Sequence, residues 1–292
     1  MDIERMAAIS RRNLLVGAVA GGLTLTAAEP AGAIGASALE DPLQAYRKLR
    51  YRTDAGLVFW WLRGIKYGQV GTTLTALYTN HVGTVMRIQP RSDGGQDVTS
   101  LEVTLQSSVD DDTALREWTN PYTGETLPLS VRPVGPTTVS YDQDGARDFP
   151  TELGGARLEV EAESHAPTVV GDRVFLSEHI RARVFRPERE TPFVVNDISQ
   201  YQGSLSEVLD PAITGAGATV SFGEVTGWQR WMKMGDLAGN LTSRTVGAKV
   251  ASYAEMPQAW RQAVEDLAPA LAEQLSRDPS GALDQKAAEF DR

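Results

Sequence analysis

The chain has 292 residues, a formal net charge of −10 at pH 7 and no cysteine. The lack of cysteine excludes disulfide bonds, thiolate nucleophiles, iron–sulfur clusters and thiolate zinc sites. The negative charge is spread along the sequence and argues against nucleic acid or an anionic membrane as a partner.

The first residues have the pattern of an export signal. The pair Arg11-Arg12 is followed by a weakly apolar stretch and by the small residues Ala31-Gly32-Ala33. This order is typical of the Tat route, which exports folded proteins. The apolar stretch, about residues 14–28, is shorter than the roughly 20 residues that a membrane helix needs. The sequence therefore predicts a Tat signal peptide over residues 1–33, the Tat export machinery as a partner, a periplasmic or secreted location and no stable membrane span after cleavage.

Helices are predicted near both ends of the remaining chain. Asp41 followed by Pro42 places a capping side chain before a proline at the first helical position, which predicts a short helix over residues 41–50. Apolar residues at helical spacing predict a longer C-terminal helix over residues 257–277. Pro269 lies inside that segment and is expected to kink or split it, because proline lacks a backbone donor.

Between these helices, residues 57–250 have the pattern of short strands. Residues 100–106 alternate apolar and polar side chains, and Gly, Asn, Asp and Pro mark turns about every 8–12 residues. Such a pattern is typical of an antiparallel meander that curls into a barrel or sandwich. We predict a single domain over residues 34–292 that is mainly β, with the meander closing into a barrel-like, calycin- or lipocalin-like sheet.

Histidine is rare, and its positions suggest no metal site. His81, His165 and His179 form no spacing that is typical of metal ligands, so we predict no metal. The sequence also lacks a P-loop, a Rossmann motif after a strand and a nucleophile elbow, so no cofactor is expected. His179 lies in the middle of a predicted strand. On a cavity face it would act as a general acid or base beside Glu102 and Arg63; on an outward face all three would be ordinary strand residues.

Aromatic and methionine side chains concentrate in three clusters, which are Trp60 with Trp61, Trp118–Tyr122 and Trp228–Met234. Trp60 and Trp61 are consecutive in one strand and must therefore point to opposite faces of the sheet. Together the three clusters could line a cavity for a small molecule, or they could fill the core. The predicted ligand-binding residues are Trp60, Trp61, Tyr67, Trp118, Asn120, Tyr122, Trp228, Trp231 and Met234.

Four segments resemble one bacterial family of exported proteins, domain of unknown function 1838. They are residues 41–49, residues 58–64, Trp118–Glu125 with the sequence WTNPYTGE, and residues 231–235. The resemblance implies one domain over almost the whole mature chain and an exported location. It supplies no catalytic residues.

These observations predict a protein that binds an apolar or aromatic small molecule in an aromatic-lined cavity. It would act on that molecule as a lyase, isomerase or hydrolase without an organic cofactor. The alternatives are a non-catalytic, lipocalin-like carrier and an envelope protein that binds another protein through its aromatic patches. Titratable groups with perturbed pKa values inside the cavity would favour the enzyme, and a purely apolar cavity would favour the carrier.

Overall fold

A computed structural model describes residues 39–187 and 190–285 of the chain. The predicted signal peptide, residues 1–33, lies outside the described residues. The strands are β1 Gly56–Val70, β2 Thr73–Pro90, β3 Gln96–Ser107, β4 Glu117–Thr119, β5 Thr126–Pro128, β6 Arg132–Tyr141, β7 Arg147–Asp148, β8 Glu152–Leu153, β9 Ala156–Ser164, β10 Thr168–Val170, β11 Arg173–Phe185, β12 Phe193–Ser204, β13 Ala218–Thr226 and β14 Asn240–Val250. The helices are α1 Pro42–Arg50, α2 Leu205–Leu209, α3 Gln258–Leu267, α4 Pro269–Arg277 and α5 Pro279–Ala282.

One antiparallel sheet contains most of these strands. Its order is β7-β6-β3-β2-β1-β14-β13-β12-β11-β9-β8, with β10 paired to β11 beside this path, and β4 and β5 form a separate hairpin. The sheet curls into a half-barrel that stays open. The prediction of a mainly β, antiparallel, barrel-like fold is confirmed. The expected closure is not seen, because the last strands of the path, β7 and β8, pair with β6 and β9 and not with each other.

The two edges of the sheet nevertheless meet at one point. Only residues 149–151 separate β7 from β8, so Asp148 and Glu152 lie at most about 15 Å apart. Arg147 of β7 crosses this seam, and its Nη2 donates to Oγ of Ser164 on β9 at 2.6 Å. Side chains therefore bridge the edges where a ladder of backbone hydrogen bonds would close a barrel.

The helices begin and end where their sequences favour it. Asp41 Oδ1 accepts a hydrogen bond from the backbone N–H of Gln44 at 2.8 Å and caps α1. The C-terminal helical segment is two helices, α3 and α4, which meet at Pro269. None of the helices in the described chain combines the length and apolar character needed to cross a membrane.

Each face of the sheet is covered differently. The outer face of β1, β2 and β3 packs against α3 and α4 through a buried apolar cluster. Its members include Phe59, Val85 and Leu101 from the strands, and Trp260 and Leu271 from the helices. The helix α1 packs against a second apolar cluster that includes Trp60. Because the helices cover the outer face of β1–β3, the concave inner face is left to form a cavity.

Gly83 of β2 is the contact point for Trp260. A Cβ atom at this position would overlap the indole ring of Trp260, which is buried. We expect Gly83→Ala to lower the free energy of unfolding by about 1–3 kcal/mol, because overpacking moves α3 off the sheet. Urea unfolding measures the change. Gly217→Ala is the matched control, since a Cβ there meets only Glu207 Oε2 at 3.5 Å; equal stability losses in the two variants would contradict this packing role.

Candidate functional site

The concave face of the sheet encloses a cavity of about 510 Å³. Its walls come from the central strands, from β6 at one edge and from the end of α1. Apolar lining residues include Trp60, Leu62, Val82, Val220 and Phe222. Polar lining residues include Arg50, Lys66, Tyr78, Asn80, Glu102, Gln106, Arg132, Glu178, Asp197, Ser199, Tyr201, Glu224, Gln229, Ser243 and Thr245.

A row of polar side chains crosses the floor of this cavity. Asp197 of β12 is paired in register with Glu224 of β13, which is paired with Ser243 of β14. Ser243 is in turn paired with Lys66 of β1, and Lys66 with Tyr78 of β2. Directly paired residues on one face have Cβ atoms about 4.5–5.5 Å apart. Five strands thus present neighbouring functional groups to the same space.

Within this row, Lys66 and Glu224 form an ion pair that does not include Asp197. The ammonium of Lys66 donates to Glu224 Oε2, and both side chains are largely buried. Asp197 Oδ1 is buried without a hydrogen-bond partner. Burial, followed by the negative charge of Glu224, raises the pKa of Asp197 to about 7. A carboxyl group that gains and loses a proton near neutral pH therefore faces the cavity.

Glu102 is a second acid with a perturbed pKa on this cavity wall. Burial raises the pKa of Glu102, although Thr104 Oγ1 donates to its Oε1 at 3.1 Å. Its carboxyl group also interacts electrostatically with Glu224 and Lys66. A protonated Glu102 can donate a hydrogen bond to an oxygen atom in the cavity.

Glu178 contacts two arginines and one tyrosine. Arg50 from α1 and Arg147 from β7 both form ion pairs with it, the second at 2.5 Å, and Tyr46 donates to Oε2 at 2.8 Å. Burial alone would raise the pKa of Glu178, but the two guanidinium groups and the phenol outweigh it and hold this pKa below its ordinary value. This cluster joins α1 to the seam of the sheet and keeps Glu178 ionised.

The cavity reaches solvent beside β6. Val134 lines it and is 49% exposed. Arg132, on the same strand, is half-buried and lies with its guanidinium carbon 4.8 Å from the ring centre of Trp231. The sheet edge that stays open is therefore also the side on which a ligand could enter.

The sequence of most of this region matches one protein family. Residues 55–280 match the family model described as "Protein of unknown function (DUF1838)". The chain belongs to this family.

Every cavity-lining residue except Arg50 lies inside the segment that matches DUF1838. None of the curated proteins compared matches the chain. Among solved structures, the chain is similar to OmpT, described as an in-vitro folded outer membrane protein of Vibrio cholerae in its trimer form. That similarity has 9% sequence identity and a TM-score of 0.16, and it covers 68% of this chain and 100% of OmpT.

The three residues predicted to be catalytic do not come together in this DUF1838 chain. Glu102 lines the cavity. His179 follows Glu178 on β11 and therefore points to the opposite face of the sheet. Arg63 also lies on the outer face, where its Nε donates to Asp112 at 3.1 Å and 41% of its side chain is exposed. For His179 and Arg63 the structure shows the outward face, the alternative that the sequence left open, because alternation shows which residues share a face but not which face is inside.

Of the predicted aromatic ligand-binding residues, Trp60 lines the cavity and Trp61 does not. Trp61 packs under the C-terminal helices on the outer face. Tyr67 follows an irregularity in the register of β1 and is also absent from the cavity wall. The two tryptophans point to opposite faces, as the sequence predicts.

The remaining predicted ligand-binding residues form a packed apolar cluster behind the cavity wall. This cluster contains Trp118, Tyr122, Trp228, Trp231 and Met234. Asn120 organises the adjoining turn, because its Nδ2 donates to the carbonyl oxygen of Met232 at 2.8 Å and its Oδ1 accepts from the backbone N–H of Tyr122 at 2.9 Å. These residues therefore support the wall that carries Tyr78 and Arg132 and do not themselves line the cavity.

Sequence reasoning missed the residues that give the cavity its charge. They are Lys66, Arg132, Asp197 and Glu224. Each shares the phase of an apolar residue on its own strand, as Glu224 does with Val220 and Phe222, and this pattern is the signal that the sequence contains. Across residues 39–187 and 190–285, no group of three or more histidine, aspartate or glutamate side chains could hold a metal ion.

Proposed function

We propose that this protein binds a small organic molecule inside the curled sheet and transfers a proton to or from it through Asp197. The observation that carries the proposal is the position of Asp197, whose pKa is raised to about 7, beside the Lys66–Glu224 ion pair in a cavity. A general acid or base works best when its pKa lies near the working pH. The cavity therefore has the chemical group that a cofactor-free isomerase or lyase needs.

The size and lining of the cavity suit a small ligand with apolar and polar parts. A volume of about 510 Å³ lies within the range of about 300–1,000 Å³ that is usual for such sites. Trp60, Val220 and Phe222 offer an apolar surface, and the polar row lies further along the same strands β1 and β13. An aromatic or aliphatic ligand with an oxygen-containing group would meet both surfaces.

The reaction class that fits these groups is proton transfer at a carbon atom next to a carbonyl group. Ionised Asp197 would take the proton from carbon, and the electron pair would move to the carbonyl oxygen as an enolate. The phenol of Tyr78, which lines the same cavity and which burial keeps neutral, would donate a hydrogen bond to that oxygen. In a substrate whose enolate is conjugated with a carbon–carbon double bond, return of the proton from Asp197 to the far carbon of that double bond gives an isomer. In a substrate with a leaving group on the β carbon, that group departs with its bonding electron pair and an elimination product forms.

An exported location belongs to the same proposal. It is supported by Arg11-Arg12 and by the small residues Ala31–Ala33 in the sequence. A cavity formed in a folded protein agrees with a route that exports proteins after folding.

Two competing functions make different demands on the cavity. A carrier would need the same space but no proton transfer, and a protein-binding module would need no cavity. Both the enzyme and the carrier should bind an apolar fluorescent reporter such as N-phenyl-1-naphthylamine. Only the enzyme should catalyse deuterium uptake from heavy water into members of a panel of aryl and alkyl carbonyl compounds, read by mass spectrometry.

The opening beside β6 supplies a variant that tests the cavity. We expect Val134→Trp to weaken binding of N-phenyl-1-naphthylamine about tenfold, because the indole would occupy the mouth. Val246→Trp is the matched control, since Val246 is 66% exposed on a strand and lies outside the cavity wall. Fluorescence titration measures both. A reporter that binds both variants and the wild type equally is not in this cavity, and binding without any deuterium uptake across the panel would favour the carrier.

A further inference from the structure

We propose that the molecule bound in this cavity carries a carboxylate group and that Arg132 binds it. This inference rests on the proposed function, because it names the substrate class of the same site. It follows from the partners of the cationic side chains that line the cavity and from the state of the acids around them.

Arg132 differs from the other cations of the cavity wall in having no acid beside it. Lys66 forms an ion pair with Glu224, and Arg50 forms one with Glu178. For Arg132, the described part of the chain offers no carboxylate within ion-pair distance and no hydrogen-bond acceptor; its contact is with the ring of Trp231. Burial lowers the pKa of Arg132, but an arginine stays charged at any physiological pH. A positive charge therefore faces the cavity, and residues 39–187 and 190–285 supply no counter-ion for it.

The surroundings of Arg132 leave its donors available to a ligand. Its guanidinium carbon lies 4.8 Å from the ring centre of Trp231, which is a cation–π contact, and the side chain lines the cavity. The Nε1 of Trp231 donates to Oε1 of Gln229 at 2.6 Å, so the amide nitrogen of Gln229 remains as a donor at the same wall. Tyr78 is buried beside them, and burial raises the pKa of its phenol, which stays a neutral donor.

This set of donors matches the geometry of a carboxylate. A guanidinium group presents parallel N–H donors that bind both oxygens of a carboxylate, and such paired bonds are stronger than those between neutral groups. Tyr78 interacts electrostatically with both Arg132 and Glu224, so its side chain connects Arg132 to the row that contains Asp197. A ligand anchored at Arg132 would reach along Tyr78 toward the proton-transfer group.

The acids in the cavity do not oppose an anionic ligand. Glu224 is neutralised by Lys66, and Glu178 is outnumbered by Arg50 and Arg147. The other two acids, Asp197 and Glu102, have pKa values that burial raises. When both are protonated, the lining cations Arg50, Lys66 and Arg132 outnumber the ionised acids Glu178 and Glu224, and a monocarboxylic acid with an apolar body would complement this charge.

A matched pair of compounds tests this inference at pH 6.5. N-phenyl-1-naphthylamine serves as the fluorescent reporter, and 4-phenylbutyrate and its uncharged amide, 4-phenylbutanamide, compete for its site. We expect the carboxylate to displace the reporter at a concentration about ten- to a hundredfold lower than the amide does. In Arg132→Gln this preference should disappear, while Arg132→Lys should retain part of it. Arg244→Gln is the control, because Arg244 is exposed and points away from the cavity between Ser243 and Thr245.

The outcomes separate this inference from the proposed function. Equal displacement by the two compounds in the wild type, or a preference that survives in Arg132→Gln, would overturn the carboxylate inference and leave cavity binding intact. Failure of the reporter to bind the wild-type protein would overturn the proposed function and this inference with it. The comparison in the wild type needs no variant, so it decides the question even if Arg132→Gln does not fold.

Discussion

Glu178→Gln should lower the free energy of unfolding by about 3–5 kcal/mol, measured by urea unfolding at pH 7. The reason is the charge that the substitution leaves behind. Glu178 is 2% exposed and is the acid shared by Arg50 and Arg147, whose side chains are 16% and 9% exposed. Without its negative charge, two buried guanidinium groups face each other with no counter-ion. Removing one partner of a buried ion pair lowers the stability by far more than the intact pair contributes, because the other charge stays buried without a partner.

The pH dependence of stability follows from the same cluster. The pKa of Glu178 is lowered in the folded protein relative to its ordinary value of 4.5. A lowered folded-state pKa contributes stability that is present above about pH 4.5 and is lost as the pH falls through the lowered value. Wild-type protein should lose this contribution in acid, and Glu178→Gln should not, because it has none to lose.

Glu159→Gln is the matched control for Glu178→Gln. Glu159 also contacts two arginines, Arg157 and Arg183, but it is 42% exposed on the edge strand β9. Exposed ion pairs contribute at most about 1 kcal/mol, so this variant should unfold close to the wild type. If the two variants lost similar amounts of unfolding free energy, burial would not be the reason why Glu178 stabilises the fold.

Much of the fold could be predicted because the signals that determine it are local. Asp41 and Pro42 determine the start of α1 within three residues, and Pro269 interrupts the C-terminal helix by its own ring. Alternation along β1 correctly predicts that Trp60 and Trp61 point in opposite directions. None of these signals reports how far the sheet curls, because curling depends on the twist of many strand pairs. The open seam between β7 and β8 therefore had no counterpart in the sequence.

The candidate site was harder to predict, since its members meet only through strand register. Lys66 and Glu224 are 158 residues apart in the chain and touch because β14 lies between β1 and β13. Glu102 and Trp60 were predicted to belong to the site, and both line the cavity. His179 was predicted to be catalytic because histidine is a common acid or base near neutral pH. The neighbouring Glu178 is the residue that faces the cavity. A shift of one position along a strand reverses the face, and sequence alone does not set that phase.

Asp197→Asn should remove a loss of stability that wild-type protein undergoes as the pH rises. The pKa of Asp197 is raised from an ordinary 3.8 to about 7 in the folded protein. A raised folded-state pKa means that the folded protein holds this proton more tightly than the unfolded chain does. The resulting stability is fully present below about pH 3.8 and is lost as the pH rises through 7. Between pH 5 and pH 8, this amounts to about 2–3 kcal/mol.

Urea unfolding at pH 5 and pH 8 measures that difference for wild type, Asp197→Asn and the control Asp236→Asn. Asp236 is exposed in the loop before β14, so its variant should keep the wild-type dependence on pH. The charges that face Asp197 are those of Glu224, Lys66, Glu102 and Glu178. They remain in Asp197→Asn, so a pH dependence left unchanged in this variant would assign the effect to one of them.

The same carboxyl group decides between catalysis and simple binding. Carbon-13 NMR of labelled aspartate should show one signal that titrates near pH 7 in wild-type protein and is missing from Asp197→Asn. Deuterium uptake into a carbonyl substrate should rise with pH through that value, because only the ionised carboxylate accepts a proton from carbon. It should be abolished in Asp197→Asn, while binding of N-phenyl-1-naphthylamine persists. An Asp197 signal that titrates near pH 4 would leave the group ionised throughout, and the cavity would then lack an acid or base suited to neutral pH.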